Sequence, residues 1–554
     1  MGDENAQRVI MEQEHAASMR GNWDSTCIQI AKRILPGFAD TFAGQNRTLN
    51  TPNYQDTTEM VDSTGALALN RFAAAMESMN TPHTSTWHVV LPQDKVLMKN
   101  RSVRLWFEDL TELLFTLRYA PTANFASQKY ADYKMIGAFG NAILFTDALK
   151  WRGEKGFRYR SIHPGQCYFM ENHQGMIDRN YRRFPLTAAQ ALTEFGAEML
   201  PRQILAQAKE GRTAQTIHYF IHKVSPRADG SYDPYRVDVA GMAYESCYVS
   251  ITGQQTVREN GYHTFPYAIS RYSTLPGQIM GTSIAMMALP SLKTLNEMKK
   301  TVLKQGHRTV DPVLLAHDDG VMDSFSLRPG SLNMGGVSAD GKPLVHVLPT
   351  GNLSVGIEMM EAESKAAKDF FLVTLFDILL DAPQMTATQA IERAREKAQL
   401  LTPEIRQQAE SLGPQIDREI DLAVQLRLLD PMPQMLLDAK GKNTVRYDTP
   451  MARMARGSER NAGFTRMVDR SLELVNATGN PEHLDHYNFD VAIPEMADDQ
   501  SVPQSWMNDP AKKKGIRDGR AEQAQQQQTM DALPAAGGLM KTMMPKPQAA
   551  PAHA

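Results

Sequence analysis

Cysteine is scarce: the 554 residues hold three, Cys27, Cys167 and Cys247, far apart and with no CxxC pair. That excludes a disulfide-stapled scaffold and a Cys/His zinc site, and leaves three reduced, mostly buried thiols of a cytosolic environment as the expectation. A phosphate-cradling P-loop is also missing, because nothing matches GxxxxGK[ST], so the chain is not an ATP-driven motor. His218 and His222 stand four apart in TIHYFIHKV, but the stretch reads as a strand, which would hold them about 13 Å apart. Two partly exposed histidines are expected there. GTSIA at 281–285 lacks the last glycine of a nucleophile elbow, and its serine reads as a helix cap. No catalytic residue, no metal ligand and no cofactor is therefore expected, and the chain is not read as an enzyme.

Charge of one sign is lacking as well, with a formal net charge of −3. Proteins that grip DNA are usually strongly basic, because phosphate neutralisation supplies most of the affinity. Any nucleic-acid contact should be loose or confined to small patches. Long apolar runs are absent: FFLVTLFDILL at 370–380 is about half a bilayer span and contains Asp377, so membrane insertion is not expected. The opening MGDENAQRVIMEQEHAASMR has no apolar core and does not read as a signal peptide. After Trp506 aromatic residues are gone, and 508–554, with KKK, QQQQ and a Pro/Ala/Met/Gly tail, reads as disordered.

What is present is ordinary for a folded protein, 42% hydrophobic and 22% charged, in a chain too long for one core. Residues 5–45 read as helical until Pro36 and Gly37 stop them. Asp62–Met79, Lys99–Arg118 and Asn124–Phe139 follow as helices, with strands at Trp87–Leu91 and Asn141–Thr146. Residues 157–272 are short aromatic and β-branched runs parted by Gly, Pro and Asn, interrupted by a helix over Thr187–Ala208 that Pro201 splits or kinks. Ser283–Gln305 is a helix disturbed at Pro290. Arg308–Pro349 reads as short strands and turns, and Ser354–Leu380 as a long helix with an acidic first half and an apolar second half. The break at Asp381-Ala382-Pro383-Gln384-Met385 precedes a capping box, Thr386 with Gln389, and helices through Arg427. Further helices at about 450–475 carry many arginines. The fold class is α+β, mainly α.

Four segments carry a resemblance. They are DTTEMVDSTGALALNRFAAAMESMNTPHTSTWHVV at 56–90; MIGAFGNAILF at 135–145, leading to YRSIHPGQCYFMENHQGMIDRNYRRFPLTAAQALTEFG at 159–196; GQIMGTSIAMMALPSLKTLNEM at 277–298; and APQMTATQAIERAREK at 382–397, leading to TPEIRQQAESLGP at 402–414. In order and spacing the chain, over about residues 20–475, resembles the head-to-tail connector (portal) proteins of T7-like podoviruses.

The resemblance implies a homo-oligomeric ring of twelve copies around a central channel at one capsid vertex, passing double-stranded DNA in packaging and ejection. It implies terminase as a docking partner, then tail adaptor proteins, with contacts to major capsid, scaffolding and internal core proteins. The setting is the virion, after assembly in the host cytoplasm. Residues 1–280 would be a wing with a mixed β part about 157–272, 281–306 and 351–380 stem helices, and 307–350 a clip. Residues 381–386 would be a tunnel loop, 387–430 wing and crown helices, and 431–507 the crown. The loop would present Asp381, Ala382, Pro383, Gln384 and Met385 to DNA. Glu358, Glu361 and Glu363 are candidates to line the channel, or else an ordinary solvated helix face, and Arg453, Arg456 and Arg460 could face DNA or pair with neighbouring acids. The alternative is another virion structural protein, a tail tube or internal core protein; the helix–strand–helix unit near 283–380 favours the connector.

Overall fold

The computed structural model describes residues 3–42, 59–373, 402–438, 443–447, 460–499, 502 and 506–526, less residue 510, 317–325, 350–352 and scattered loop positions. Helices α1 (Glu4–Ser18), α2 (Gly21–Ile34), α3 (Ala39–Phe42) and α4 (Thr64–Asn80) open the chain. One continuous helix was expected up to Pro36, but it breaks at Arg20. The reason is chemical: the buried Arg20 guanidinium leaves the helix axis to donate to the carbonyls of Pro164 (3.0 Å) and Gly165 (2.8 Å), and pairs with Asp24 at 3.1 Å. A guanidinium that deep must find several acceptors at once.

Strand β1 (His88–Pro92) leads to α5 (Arg101–Arg118), capped by Asn100 on the Ser102 amide at 2.9 Å, and α6 (Phe125–Phe139) ends at Gly140 with φ +77°. Next come β2 (Asn141–Ala148), β3 (Phe157–Ile162), β4 (Cys167–Glu171), β5 (Ile177–Thr187), α7 (Ala188–Phe195), α8 (Arg202–Lys209), β6 (Ile217–Pro226), β7 (Tyr244–Ser250), β8 (Gln255–Tyr262) and β9 (Tyr267–Arg271). They form an antiparallel sheet ordered β4-β5-β6-β7-β8 and a smaller one ordered β3-β2-β9. Thr187 and Gln190 close a reciprocal capping box at the start of α7, and Pro201 separates α7 from α8 as the cap of the latter.

Alternation along β5, β6 and β7 sends side chains to two faces. Tyr181, Ile221, Cys247 and Val249 pack under Ala6, Val9 and Ala16 of α1. Phe184 and Phe220 pack under α7 and α8. On that second face His222, read from sequence as partly exposed, is buried: it stacks flat on Tyr248 at 4.0 Å between ring centroids, with Nδ1 2.6 Å from the Tyr267 hydroxyl and Nε2 2.9 Å from Ser246. His218 is buried too, against Gln207 at 2.7 Å. Both are on β6 as expected, but α8 and the second sheet cover the face they share. The three cysteines are free and buried.

The chain continues with α9 (Ile284–Val310), a short antiparallel pair β10 (Leu314–Ala316) and β11 (Val345–Val347), α10 (Leu353–Phe370), α11 (Thr402–Gln425), α12 (Gln434–Asp438), β12 (Asn443–Tyr447), α13 (Arg460–Thr478) and α14 (Phe489–Asp499). Strand β12 pairs antiparallel with β1, a contact across some 350 residues of sequence that local pattern does not announce. The expected helix over 354–380 instead ends at Phe370. Leu372 adopts φ +58°, its amide bonded to Asp369 O at 3.0 Å, so that Phe371 and Val373 turn into the helical core. Residues 511–526 are helical where disorder was expected; they contain no proline and are rich in Lys, Arg, Ala and Gln, which favour helix.

Candidate channel-forming unit

The root of α9 is fixed by the second and third of the sequence segments noted above. The Gly281 amide donates to Asn141 Oδ1 at 2.9 Å, and the Gly281 carbonyl accepts from Trp23 Nε1 at 3.2 Å. A β-carbon on Gly281 would strike the Gly140 carbonyl, and one on Gly140 the Gly281 carbonyl. Ser283 caps α9, accepting from the Met286 amide at 2.9 Å while its hydroxyl donates to Ala138 O at 2.9 Å. Pro290 lies inside α9 rather than at its start. The helix runs through it and five residues past the expected end at Gln305.

Ile284, Ala285, Ala288, Leu292 and Leu295 bury this first half against α2, α4 and α6. Asn296 then clasps the entry to α4. Its Oδ1 accepts from the Val61 and Asp62 amides at 2.8 and 2.9 Å, and its Nδ2 donates to Leu292 O at 2.7 Å. Lys299 reaches Asp62 at 2.9 Å. Burial presses the Asp62 carboxyl upward, but hydrogen bonds from Thr64 and Lys299 outweigh it and the net shift is downward.

Beyond Asn296 the helix leaves the core. Leu303 is 49% exposed and Val310 87% exposed, and the helix packed alongside this half is α10. Gly356, Met360, Ser364 and Ala367 make the packing stripe of α10, with Gly356 close to Val302 and Ser364 3.4 Å from Thr64. An open groove of about 540 Å³ runs between the helices, lined by Lys293, Glu297, Met298, Val302, Gly356 and Met359 among others. Past it, Val313, Leu315, Val347 and Leu348 around the β10–β11 pair are exposed, as are Val355, Ile357 and Met359 on α10. The short strands expected over 308–349 are present as that pair.

The two helices carry opposite charge. Residues 293–310 hold five cations (Lys293, Lys299, Lys300, Lys304, Arg308) and one acid (Glu297), a net of 5 − 1 = +4; residues 354–370 hold four acids and two lysines, a net of 2 − 4 = −2. Glu358 and Glu361 share the solvent face of α10. Glu363, grouped with them from sequence, turns to the side of the packing stripe and is half-buried. Asp381–Met385, Arg453 and Arg456 lie outside the described residues, as does the Thr386–Gln389 capping box; Arg460 begins α13.

After the 374–401 interval, α11 is clamped by two buried arginine sites that sequence reasoning missed. Arg118 of α5 is fully enclosed and pairs with Glu419 of α11, with Trp87 under its guanidinium at 4.6 Å. Glu419 also accepts from the Tyr159 hydroxyl at 2.8 Å and from Gln415 at 2.7 Å. Burial and the Glu419 charge hold the Tyr159 hydroxyl well above its ordinary value, so it stays a donor. One residue back, Arg418 pairs with Asp421 at 2.8 Å and Asp147 at 3.5 Å and lies over Tyr262 at 4.8 Å. Arginine and glutamate in an amphipathic helix normally face water, so composition does not reveal them.

Among the described residues no group of three or more His, Cys, Asp or Glu side chains could hold a metal ion, and no helix is long and apolar enough to cross a membrane. The chain belongs to the bacteriophage head to tail connecting protein family, whose profile matches residues 6–507. Its role is that of a phage portal, as the four sequence segments implied. It is 27% identical over 493 residues to the probable portal protein of Bordetella phage BPP-1, covering 85% of this chain and 83% of that one. It is 24% identical over 557 residues to the portal protein of Salmonella phage epsilon15, covering 98% and 96%. A solved chain from the virion of a native gene transfer agent particle overlaps 76% of this chain and 87% of its own length, at a TM-score of 0.29 and 12% identity, too loose to carry argument.

Proposed function

We propose that twelve copies assemble head-to-tail into a ring, with 281–306 and 351–380, which hold most of α9 and all of α10, as the stem, residues 307–350 as the clip and residues 1–280 as the wing. The observation that carries this is the half-bare helix pair: a basic helix and an acidic helix, side by side, projecting from the core with exposed Leu303, Val355, Ile357 and Met359. Exposed apolar groups rimmed by polar ones mark an interface. A heterologous ring needs two different complementary surfaces per subunit, and α9 of one copy facing α10 of the next supplies opposite charge and apolar area together.

In this reading Glu358 and Glu361 line the channel, where negative charge repels phosphate and keeps double-stranded DNA sliding. Residues 381–386 form the tunnel loop, and 387–430 with 431–507 complete the wing and crown, bringing Arg453, Arg456 and Arg460 near DNA. The ring sits at one virion vertex, binds terminase during packaging and tail adaptors afterwards, and contacts capsid, scaffolding and internal core proteins. It performs no catalysis: its work is mechanical. The test of the loop is replacement of Asp381–Met385 by a Gly-Ser linker. Rings that form normally but fail to retain or package DNA support the assignment; normal packaged-DNA yield sinks it.

A further inference from the structure

The C-terminal helix, residues 511–526, has a charge pattern that its own stability does not explain. It carries Lys512, Lys513, Lys514, Arg517 and Arg520 against Asp518 and Glu522, a net of 5 − 2 = +3 in a chain whose total is −3. Three lysines crowd its first turn, the end where the helix dipole disfavours cations. Two glycines, Gly515 and Gly519, interrupt it, and nothing lies within 4 Å of where a β-carbon would stand on either. A short helix with two interior glycines and bare flanks is marginal by itself.

Arg101 of α5 pairs at 3.5 Å with Asp509 just before the helix, whose basic side chains are tied to Asp490 of α14. Arg517 binds that carboxylate through both terminal nitrogens, at 2.7 and 2.8 Å, and Lys513 binds it as well. The two cations hold the Asp490 carboxyl far below its ordinary range. All three groups are solvent-exposed, and exposed ion pairs contribute little net stability and weaken with salt. One carboxylate thus serves two cations. Among the described residues no acid is paired with Lys512, Lys514 or Arg520. At 100° per residue, Arg520, Lys513, Arg517 and Lys514 fall within an arc of about 120°, so the latched pair and two of the unpaired cations share one basic face opposite the glycines.

We propose that residues 511–526 are a releasable basic arm that binds nucleic acid, with Asp490 as its intramolecular latch: phosphates displace the carboxylate and recruit Lys513 and Arg517 to the three free cations. This rests on the connector reading for its supply of DNA and goes beyond it in naming a site outside the channel-forming unit. The arm gives a near-neutral chain a local excess of basic charge that can meet DNA.

The test uses the full chain and a short fluorescein-labelled duplex DNA, with anisotropy titrations between about 50 and 200 mM salt. Each phosphate contact contributes about 0.9 to the slope of log affinity against log salt. The variant Lys512→Gln/Lys514→Gln/Arg520→Gln should flatten the slope by about 2 to 3, while Asp490→Asn, which removes the carboxylate that phosphates must displace, should keep the wild-type slope and tighten binding several-fold at low salt. A triple variant with the wild-type slope, or an Asp490→Asn variant with the wild-type affinity, overturns the proposal. So does a triple variant that binds DNA normally but assembles poorly, which would place the arm against an acidic surface of a neighbouring copy. Electron micrographs of the same samples keep the two readings apart: rings with equal slopes remove only the arm, whereas a wild type without rings counts against the connector assembly.

Discussion

Gly140 and Gly281 lie backbone against backbone, and neither has room for a β-carbon. Gly140 ends α6 at φ +77°, a conformation that glycine adopts freely, and Gly281 opens the turn into α9. The helix core and the projecting pair therefore meet at a contact set by the absence of side chains. Gly281→Ala should destabilise the chain by about 1–3 kcal/mol, since the obstructing atom is backbone and cannot swing away. Gly211→Ala, with open space around it, should stay within about 0.5 kcal/mol. Denaturant melts of both variants provide the comparison; equal midpoints would contradict the contact.

The Arg118–Glu419 pair gives a larger effect. Both side chains are wholly buried, so Glu419→Gln leaves a guanidinium charge without its counter-ion, a loss of about 3–5 kcal/mol. Replacing both partners with methionine should recover most of that, because the double variant strands no charge. A double variant as unstable as the single one would show that packing, not charge, makes the site.

Acid stability tests the buried histidines. His163 sits among Phe38, Phe42 and Phe139, with Nδ1 accepting from the Gly165 amide at 3.0 Å. Burial, reinforced by the nearby Arg20 charge, pushes it down to about 3. The unfolded chain binds this proton near pH 6.5 and the folded chain does not. The histidine's contribution is therefore complete above about pH 6.5 and is lost as pH falls towards the folded value. His163→Phe should make stability fall less steeply between about pH 6 and 4, by up to about 1.4 kcal/mol per pH unit. An unchanged slope would mean that the imidazole is protonated or solvated in the folded chain.

Much of this was legible in the residues themselves. The amphipathic helices α4, α5 and α6 stand within two residues of their expected bounds, because apolar spacing and caps such as Asn100 act locally. The strand-rich character of 157–272 and the Pro201 break were equally local. What escaped were tertiary choices. Arg20 breaks a good helix where its guanidinium turns to the carbonyls of Pro164, Gly165 and Cys167. Leu372 ends α10 because Phe371 finds a core. His222 is buried because a second sheet covers its face, and β12 finds β1 across most of the chain. Of the helix–strand–helix unit expected near 283–380, the described residues show α9, the β10–β11 pair and α10, but the opposite charges of the two helices have meaning only once they lie side by side.

Assembly should depend on the bare half of that unit. Leu303→Glu places a charge on a half-exposed position of α9 beyond the core, so the monomer should melt within about 0.5 kcal/mol of wild type. Ring formation, followed by size-exclusion chromatography with light scattering, should drop sharply. Unimpaired rings would remove Leu303 from the interface.

The most direct test of the central claim is electron microscopy of the purified chain, averaged without imposed symmetry. The account predicts closed rings of twelve subunits around an open channel, with the α9–α10 pairs forming a narrow stem. Compact closed dimers that persist under every assembly condition tried would contradict it.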